Sequence, residues 1–195
     1  MQRKWLIAAS MIFFVTGLLV VLADWWSVTP NGSDIPKIAM DVLAGIGLAV
    51  IPLAAALCLF GRTRPMASKC LIACVLMFAS IAISAPIGRR IRTDGFQRIA
   101  DRGAPLVDGI KAFIQDKGEP PESLDDLVPD YLQSIPTTGM AAYPGYRYWQ
   151  NERRNTWTVA VSVCSGLDWG SVVYWSSEDY PKSLRRYGDW AYIPD

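Results

Sequence analysis

Apolar residues fall in three long runs before residue 88, and after it the pattern turns periodic. Trp5 to Ala23 is uncharged and long enough, at about 1.5 Å per residue, to cross a bilayer core of about 30 Å. Two further runs, Ile38 to Phe60 and Cys70 to Gly88, have similar length. Together they predict three transmembrane helices over 5–23, 38–60 and 70–88, with residues 1–88 as a membrane anchor. From Arg92 to Lys117 the apolar positions Ile99, Leu106, Val107, Ile110, Phe113 and Ile114 recur at helical spacing, and Asp101, Asp108, Lys111, Gln115 and Asp116 fill the other face. Pro105 predicts a kink or a restart of that helix near Gly103-Ala104.

Beyond Tyr143 the period becomes two. Strands are predicted over 146–150, over 157–163, where Trp157, Val159, Val161 and Val163 alternate with smaller or polar residues, and over 171–175, with a weaker fourth over 189–193. Between helix and strands, Gly118 is placed to end the helix in a left-handed conformation, and Pro120-Pro121 prevents its resumption. Ser123 and Asp126 form a capping-box pair that opens a short helix over Leu124, Leu127 and Val128. The expected fold class is α+β: three transmembrane helices, then a long amphipathic helix packed on a small three- or four-stranded antiparallel sheet, with residues 89–195 as the external domain.

Charge sets the orientation of this arrangement. Arg3 and Lys4 precede the first run, and Arg62, Arg64 and Lys69 lie between the second and third, so both sites are expected in the cytoplasm. Residues 89–195 then lie outside it, in the periplasm or the extracellular space, on the bacterial inner (plasma) membrane. Arg89, Arg90 and Arg92 run against this rule, but long domains translocate largely regardless of charge. The first run also has a reading as a secretory signal cut after Val21-Leu22-Ala23; its length favours an anchor, and both readings leave residues 89–195 outside.

Composition narrows the chemistry. The chain of 195 residues is 51% hydrophobic, and the excess lies before Gly88. Residues 89–195 carry thirteen Lys/Arg and fifteen Asp/Glu, a net of −2, which argues against nucleic acid as a partner. The absence of histidine removes Ser-His-Asp and Cys-His nucleophile systems and His-containing zinc sites. Cys58, Cys70 and Cys74 lie in apolar runs and Cys164 alone in the external domain, so no disulfide framework is readable. The adjacent pairs Asp125-Asp126 and Glu178-Asp179 do not form carboxylates facing each other across a cleft. No cofactor and no enzymatic constellation is expected.

The run GEPPESLDDLVPDYLQSIP, preceded by IKAFIQDK and followed by the aromatic GYRYW, resembles the type II secretion major pseudopilin and related pilin-like globular domains over residues 95–175. The resemblance implies a long helix leading through a Gly-x-Pro turn and a short helix into a small sheet, here on three spans where that family has one. It also implies a calcium-holding C-terminal loop, for which Asp168, Glu178, Asp179 and Asp189 are the available oxygen ligands.

Three functions follow as expectations. The first is a non-enzymatic membrane protein displaying the pilin-like domain as an envelope assembly or protein-interaction module, with other envelope proteins as partners. The second is a membrane-tethered module for carbohydrate or cell wall. Between Tyr143 and Tyr192 lie five Trp and seven Tyr, and Trp149, Trp169, Trp175 and Trp190 are the candidate ligand platform, set against the role of aromatics as core. The third is a small transporter or sensor component using Asp41, whose place near a helix start favours an interfacial carboxylate instead.

Overall fold

The computed structural model describes residues 2–151, 156–164, 167 and 169–195. It has three long α-helices, α1 (Gln2–Ser27), α2 (Ile35–Leu57) and α3 (Arg64–Lys117), followed by a short 3-10 turn and five β-strands. Each of the three helices is long and apolar enough to cross a membrane. The chain divides into two compact units. One is built from α1, α2 and α3 as far as Arg92, and the other from Val28–Gly32 and Thr93–Asp195.

In the first unit, small residues let helices approach. A Cβ on Gly17 would lie 2.7 Å from the hydroxyls of both Ser80 and Ser84, and Ser80 Oγ donates to the Phe13 carbonyl at 2.5 Å. Close approach of this kind gives apolar helices tight van der Waals packing. Gly45, by contrast, faces open space, while a Cβ on Gly47 would meet the mobile end of Met77. Asp24 is buried, with Arg92 Nε 3.4 Å from its Oδ1. Gly88 makes room for that carboxylate, since a Cβ there would come within 1.8 Å of Asp24 Oδ2.

In the second unit, α3 from Thr93 onward buries Ile99, Leu106, Val107 and Ile110 of the predicted stripe, leaves Phe113 and Ile114 half-buried, and adds Phe96 and Ala100 to the buried side. Pro105 lies within α3 without ending it, so the expected restart near Gly103-Ala104 does not occur. Proline leaves only one N–H out of the ladder, and buried neighbours on either side hold the backbone in register. Gly118 adopts φ 83° and donates its N–H to the Ile114 carbonyl at 2.8 Å, ending the helix as its position predicts. The short helix is a single 3-10 turn, Leu124–Leu127, in which Ser123 N–H donates to Asp126 Oδ2 at 2.7 Å.

The strands are β1 (Arg147–Asn151), β2 (Thr156–Cys164), β3 (Trp169–Trp175), β4 (Arg185–Tyr187) and β5 (Trp190–Pro194). They form one antiparallel sheet in the order β1-β2-β3-β5-β4. The sheet therefore has five strands, not three or four. The missed strand, β4, pairs with β5 across Gly188-Asp189, a two-residue hairpin loop in which Gly188 takes φ 60°.

One face of the sheet is core. Trp157, Val159, Val161 and Val163 of β2 stand beside Val172 and Tyr174 of β3, all buried. Contacts with α3 hold this face down: Tyr146 Oη donates to the Ile99 carbonyl at 2.7 Å, and Phe96 stacks on Tyr192 with centroids 6.0 Å apart. Gly103 lets the helix close on the sheet, because a Cβ there would lie 2.6 Å from the Trp190 ring.

Val28–Gly32, which reads in sequence as a short turn, belongs to this second unit. Val28 is 2% exposed, and the Ala141 N–H donates to the Pro30 carbonyl at 3.1 Å.

Candidate functional site

Side chains alternate across a strand, so cross-strand partners share a face. The face opposite the core carries Arg147, Trp149 and Asn151 of β1, Thr158 and Ser162 of β2, and Trp169, Ser171 and Trp175 of β3, together with the buried Ala160, Cys164 and Val173. At one end of this face is an open cleft of about 760 Å³ whose lining includes Trp149, Asn151, Thr158, Trp175, Ser176 and Asp179.

Register brings the two tryptophans together. Trp149 pairs with Thr158, and Thr158 pairs with Trp175, so the three stand in one row across β1, β2 and β3. Trp149 is 47% exposed and Trp175 half-buried.

The plane of Trp175 is fixed from behind. Tyr180 stacks on it with centroids 5.0 Å apart and planes 4° from parallel, and the Trp175 backbone N–H holds Tyr180 in place by donating to its hydroxyl at 2.6 Å. Burial pushes that hydroxyl above its usual titration range. The Arg186 guanidinium lies 4.0 Å from the Tyr180 centroid, and its own nitrogens donate to the Trp190 and Gly188 carbonyls. Arg186, Tyr180 and Trp175 thus form a layered stack of cation, phenol and indole, which leaves Trp175 little freedom to rotate.

The turn after β3 forms the rest of the rim. Ser176 extends the ladder, its N–H donating to the Trp157 carbonyl at 3.0 Å and its Oγ accepting the Trp157 N–H at 2.9 Å. Glu178 takes φ 54°, a left-handed conformation uncommon for a side-chain residue. It accepts the Tyr174 hydroxyl at 2.6 Å, with Lys111 Nζ 3.4 Å away. The Tyr174 hydroxyl, followed by Lys111, holds the Glu178 carboxyl below its ordinary range. Burial, then the bond to Glu178, pushes Tyr174 up to about 12.

The four candidate platform residues separate. Trp149 and Trp175 line the cleft. Trp169 is 55% exposed on the same face, but its partner Cys164 lies six residues along β2 from Thr158, about 20 Å away. Trp190 is 3% exposed and packs against Tyr146 and Tyr174, so it is core and offers no face to a ligand. It opens β5 directly after the hairpin loop, and pairing with Tyr187 turns its ring to the helix side.

The calcium candidates are not gathered either. Asp168 lies outside the described residues. Glu178 holds Tyr174 and Lys111, Asp179 lies at the cleft rim, and Asp189 sits in the β4–β5 loop. Among the described residues no three or more His, Cys, Asp or Glu side chains are grouped to hold a metal ion. In the first unit, a cavity of about 210 Å³ is lined by Asp24, Lys37, Asp41, Arg89 and Arg92. Both carboxylates there face a cation: Lys37 Nζ is 2.5 Å from Asp41 Oδ1, and Arg92 is beside Asp24.

Tyr180 and Arg186 are the site residues that sequence reasoning missed. The signal for Arg186 was present, since Gly188-Asp189 between Tyr187 and Trp190 is a hairpin dipeptide. Nothing in the spacing of Tyr180 points to Trp175. No protein-family model, no curated protein and no solved structure matches this chain. The pilin-like resemblance accordingly rests on the motif residues alone.

Proposed function

We propose that this protein is a non-enzymatic, membrane-tethered binding module for carbohydrate of the cell envelope. The observation that carries this reading is the pairing of two accessible indoles with hydroxyl, amide and carboxylate groups in one open cleft. Sugars present apolar C–H faces and a rim of hydroxyls, so they are bound by flat rings beside short polar side chains. The three apolar helices supply the tether, and the orientation follows the charge argument: N-terminus in the cytoplasm, residues 89–195 outside the inner membrane.

The test is retention of the full chain, in lipid nanodiscs, on insoluble peptidoglycan and on exopolysaccharide. Retention lost in Trp175→Ala supports the reading, and a wild type that washes through both matrices ends it. A C-terminal alkaline phosphatase fusion checks the orientation, since an inactive fusion puts residues 89–195 in the cytoplasm.

A second reading, an envelope assembly module binding other proteins, is favoured by the order of long helix, Gly118 stop, capped turn and antiparallel sheet that the pilin-like motif implies. Cross-linking in intact cells that yields a discrete partner, undiminished by Trp175→Ala, would favour it over the glycan reading.

A further inference from the structure

We infer that the cleft reads a linear oligosaccharide through two stacking subsites, Trp149 and Trp175, and so requires a chain of at least three sugar rings to engage both. This rests on the carbohydrate reading above and adds the size and shape of the ligand.

The argument is one of register. Trp149, Thr158 and Trp175 occupy successive strands in a single cross-strand row. Neighbouring strands lie about 4.8 Å apart, which puts the two tryptophan backbones about 10 Å apart with one short side chain between them. Thr158 is too small to close that gap, and its hydroxyl faces the same side as the indoles. A single sugar covers one indole only. A linear chain lays one ring on each indole and passes a third over Thr158.

The two platforms differ in stiffness. Trp175 is backed by Tyr180 at 5.0 Å and, through it, by Arg186, so its ring is oriented before any ligand arrives. No aromatic stack involving Trp149 is found among the described residues. Trp175 is therefore the anchoring subsite, and Trp149 is the one that senses chain length. Preorganisation of one platform lowers the entropy lost on binding, and the second contact then adds affinity as an intramolecular event. Tyr180 acts through Trp175 and is a positioning residue.

The experiment is calorimetric titration of the full chain in nanodiscs, avoiding sugar-based detergents. The probes are β-1,4-linked glucose and N-acetylglucosamine oligomers, from monosaccharide to hexasaccharide. Affinity should rise by about tenfold between monosaccharide and trisaccharide and then level off. Trp149→Ala should abolish the length dependence, so that trisaccharide and longer oligomers bind no more tightly than disaccharide. Trp175→Ala should weaken every length. Trp169→Ala, on the far end of the same face, should change nothing.

Tyr180→Ala keeps the Trp175 ring but frees its plane, and should weaken all lengths while preserving the rise with length. Trp149→Phe should restore part of the length dependence, which a misfolded variant would not. A monosaccharide bound as tightly as a trisaccharide, or a length dependence that survives Trp149→Ala, overturns the two-subsite inference and leaves the cleft reading intact. A wild type that binds insoluble glycan but gains nothing with oligomer length does the same. Failure to bind every oligomer and every insoluble glycan overturns both.

Discussion

Trp149 and Trp157 stand on neighbouring strands one register step apart, yet the first is 47% exposed and the second 4%. The same contrast repeats on the other side of β2, where Trp175 is half-buried in the cleft lining and its chain neighbour Tyr174 is 1% exposed. What separates the two groups is parity along the strand. Odd positions on β2 face α3 and become core, and even positions face away, where Thr158 and Ser162 stay accessible while Ala160 and Cys164 are buried. The sheet uses one aromatic vocabulary for two purposes, and a one-residue slip would exchange them. This is why a census of aromatics between Tyr143 and Tyr192 cannot separate core from platform, while the pairing Trp149–Thr158–Trp175 can.

Substitutions on the two faces should therefore diverge, and the largest difference belongs to the core. Trp190→Ala removes a buried indole that touches Tyr146 and Tyr174, and should cost about 3–5 kcal/mol. Urea unfolding of the full chain, followed by the remaining tryptophan fluorescence, measures it. A cost near zero would break the claim that this face is packed.

Gly103→Val tests the same face from the helix side. The new side chain begins 2.6 Å from the Trp190 ring and 2.9 Å from Tyr146, so overpacking should cost about 1–3 kcal/mol in the same unfolding assay. If it stabilises instead, the helix is not tightly closed on the sheet.

The rim turn should show a smaller effect that depends on pH. Tyr174 titrates at about 12 in the folded protein against an ordinary value of 10.0. A raised value means that its contribution is complete below pH 10 and is lost as pH rises toward 12. The Glu178 carboxyl is held below its ordinary 4.5, so its contribution is present above that value and is lost as pH falls through the lowered one. Tyr174→Phe should flatten both limbs of the stability profile, measured by denaturant midpoint across pH. An acid limb unchanged in Tyr174→Phe would show that the Tyr174–Glu178 bond does not hold the turn.

The smallest effect is expected on the open face. Trp149→Ala should leave stability within about 0.5 kcal/mol of wild type, as exposed substitutions usually do. A larger loss in the denaturant midpoint would mean that Trp149 is structural, and would remove one of the two platforms.

Much of the fold was legible locally. The three apolar runs, the stripe from Ile99 to Ile110, the Gly118 stop, the Ser123–Asp126 cap and the alternation of β2 are each written in residues a few positions apart. Of the kink or restart expected at Pro105 the restart does not occur, because a lone proline on the exposed side of a helix costs less than the packing of its buried neighbours Gly103, Leu106 and Val107. The β4 strand was missed because three residues carry too little period, although its Gly188-Asp189 loop announced it. At the site, Trp149 and Trp175 were named from exposure of type, but Trp190 was named with them because residue type does not reveal which face a strand's first residue takes.

The sequence by itself determined that this is a chain of three apolar helices followed by an α+β unit without histidine chemistry, since length, period and composition are properties of short windows. Only the tertiary structure decided which tryptophans meet. The row Trp149–Thr158–Trp175, the Tyr180 and Arg186 backing, and the transfer of Val28–Gly32 to the second unit all depend on pairings between residues far apart in the chain. Strand register and sheet order come from burying one face as a whole, and no local window contains that constraint.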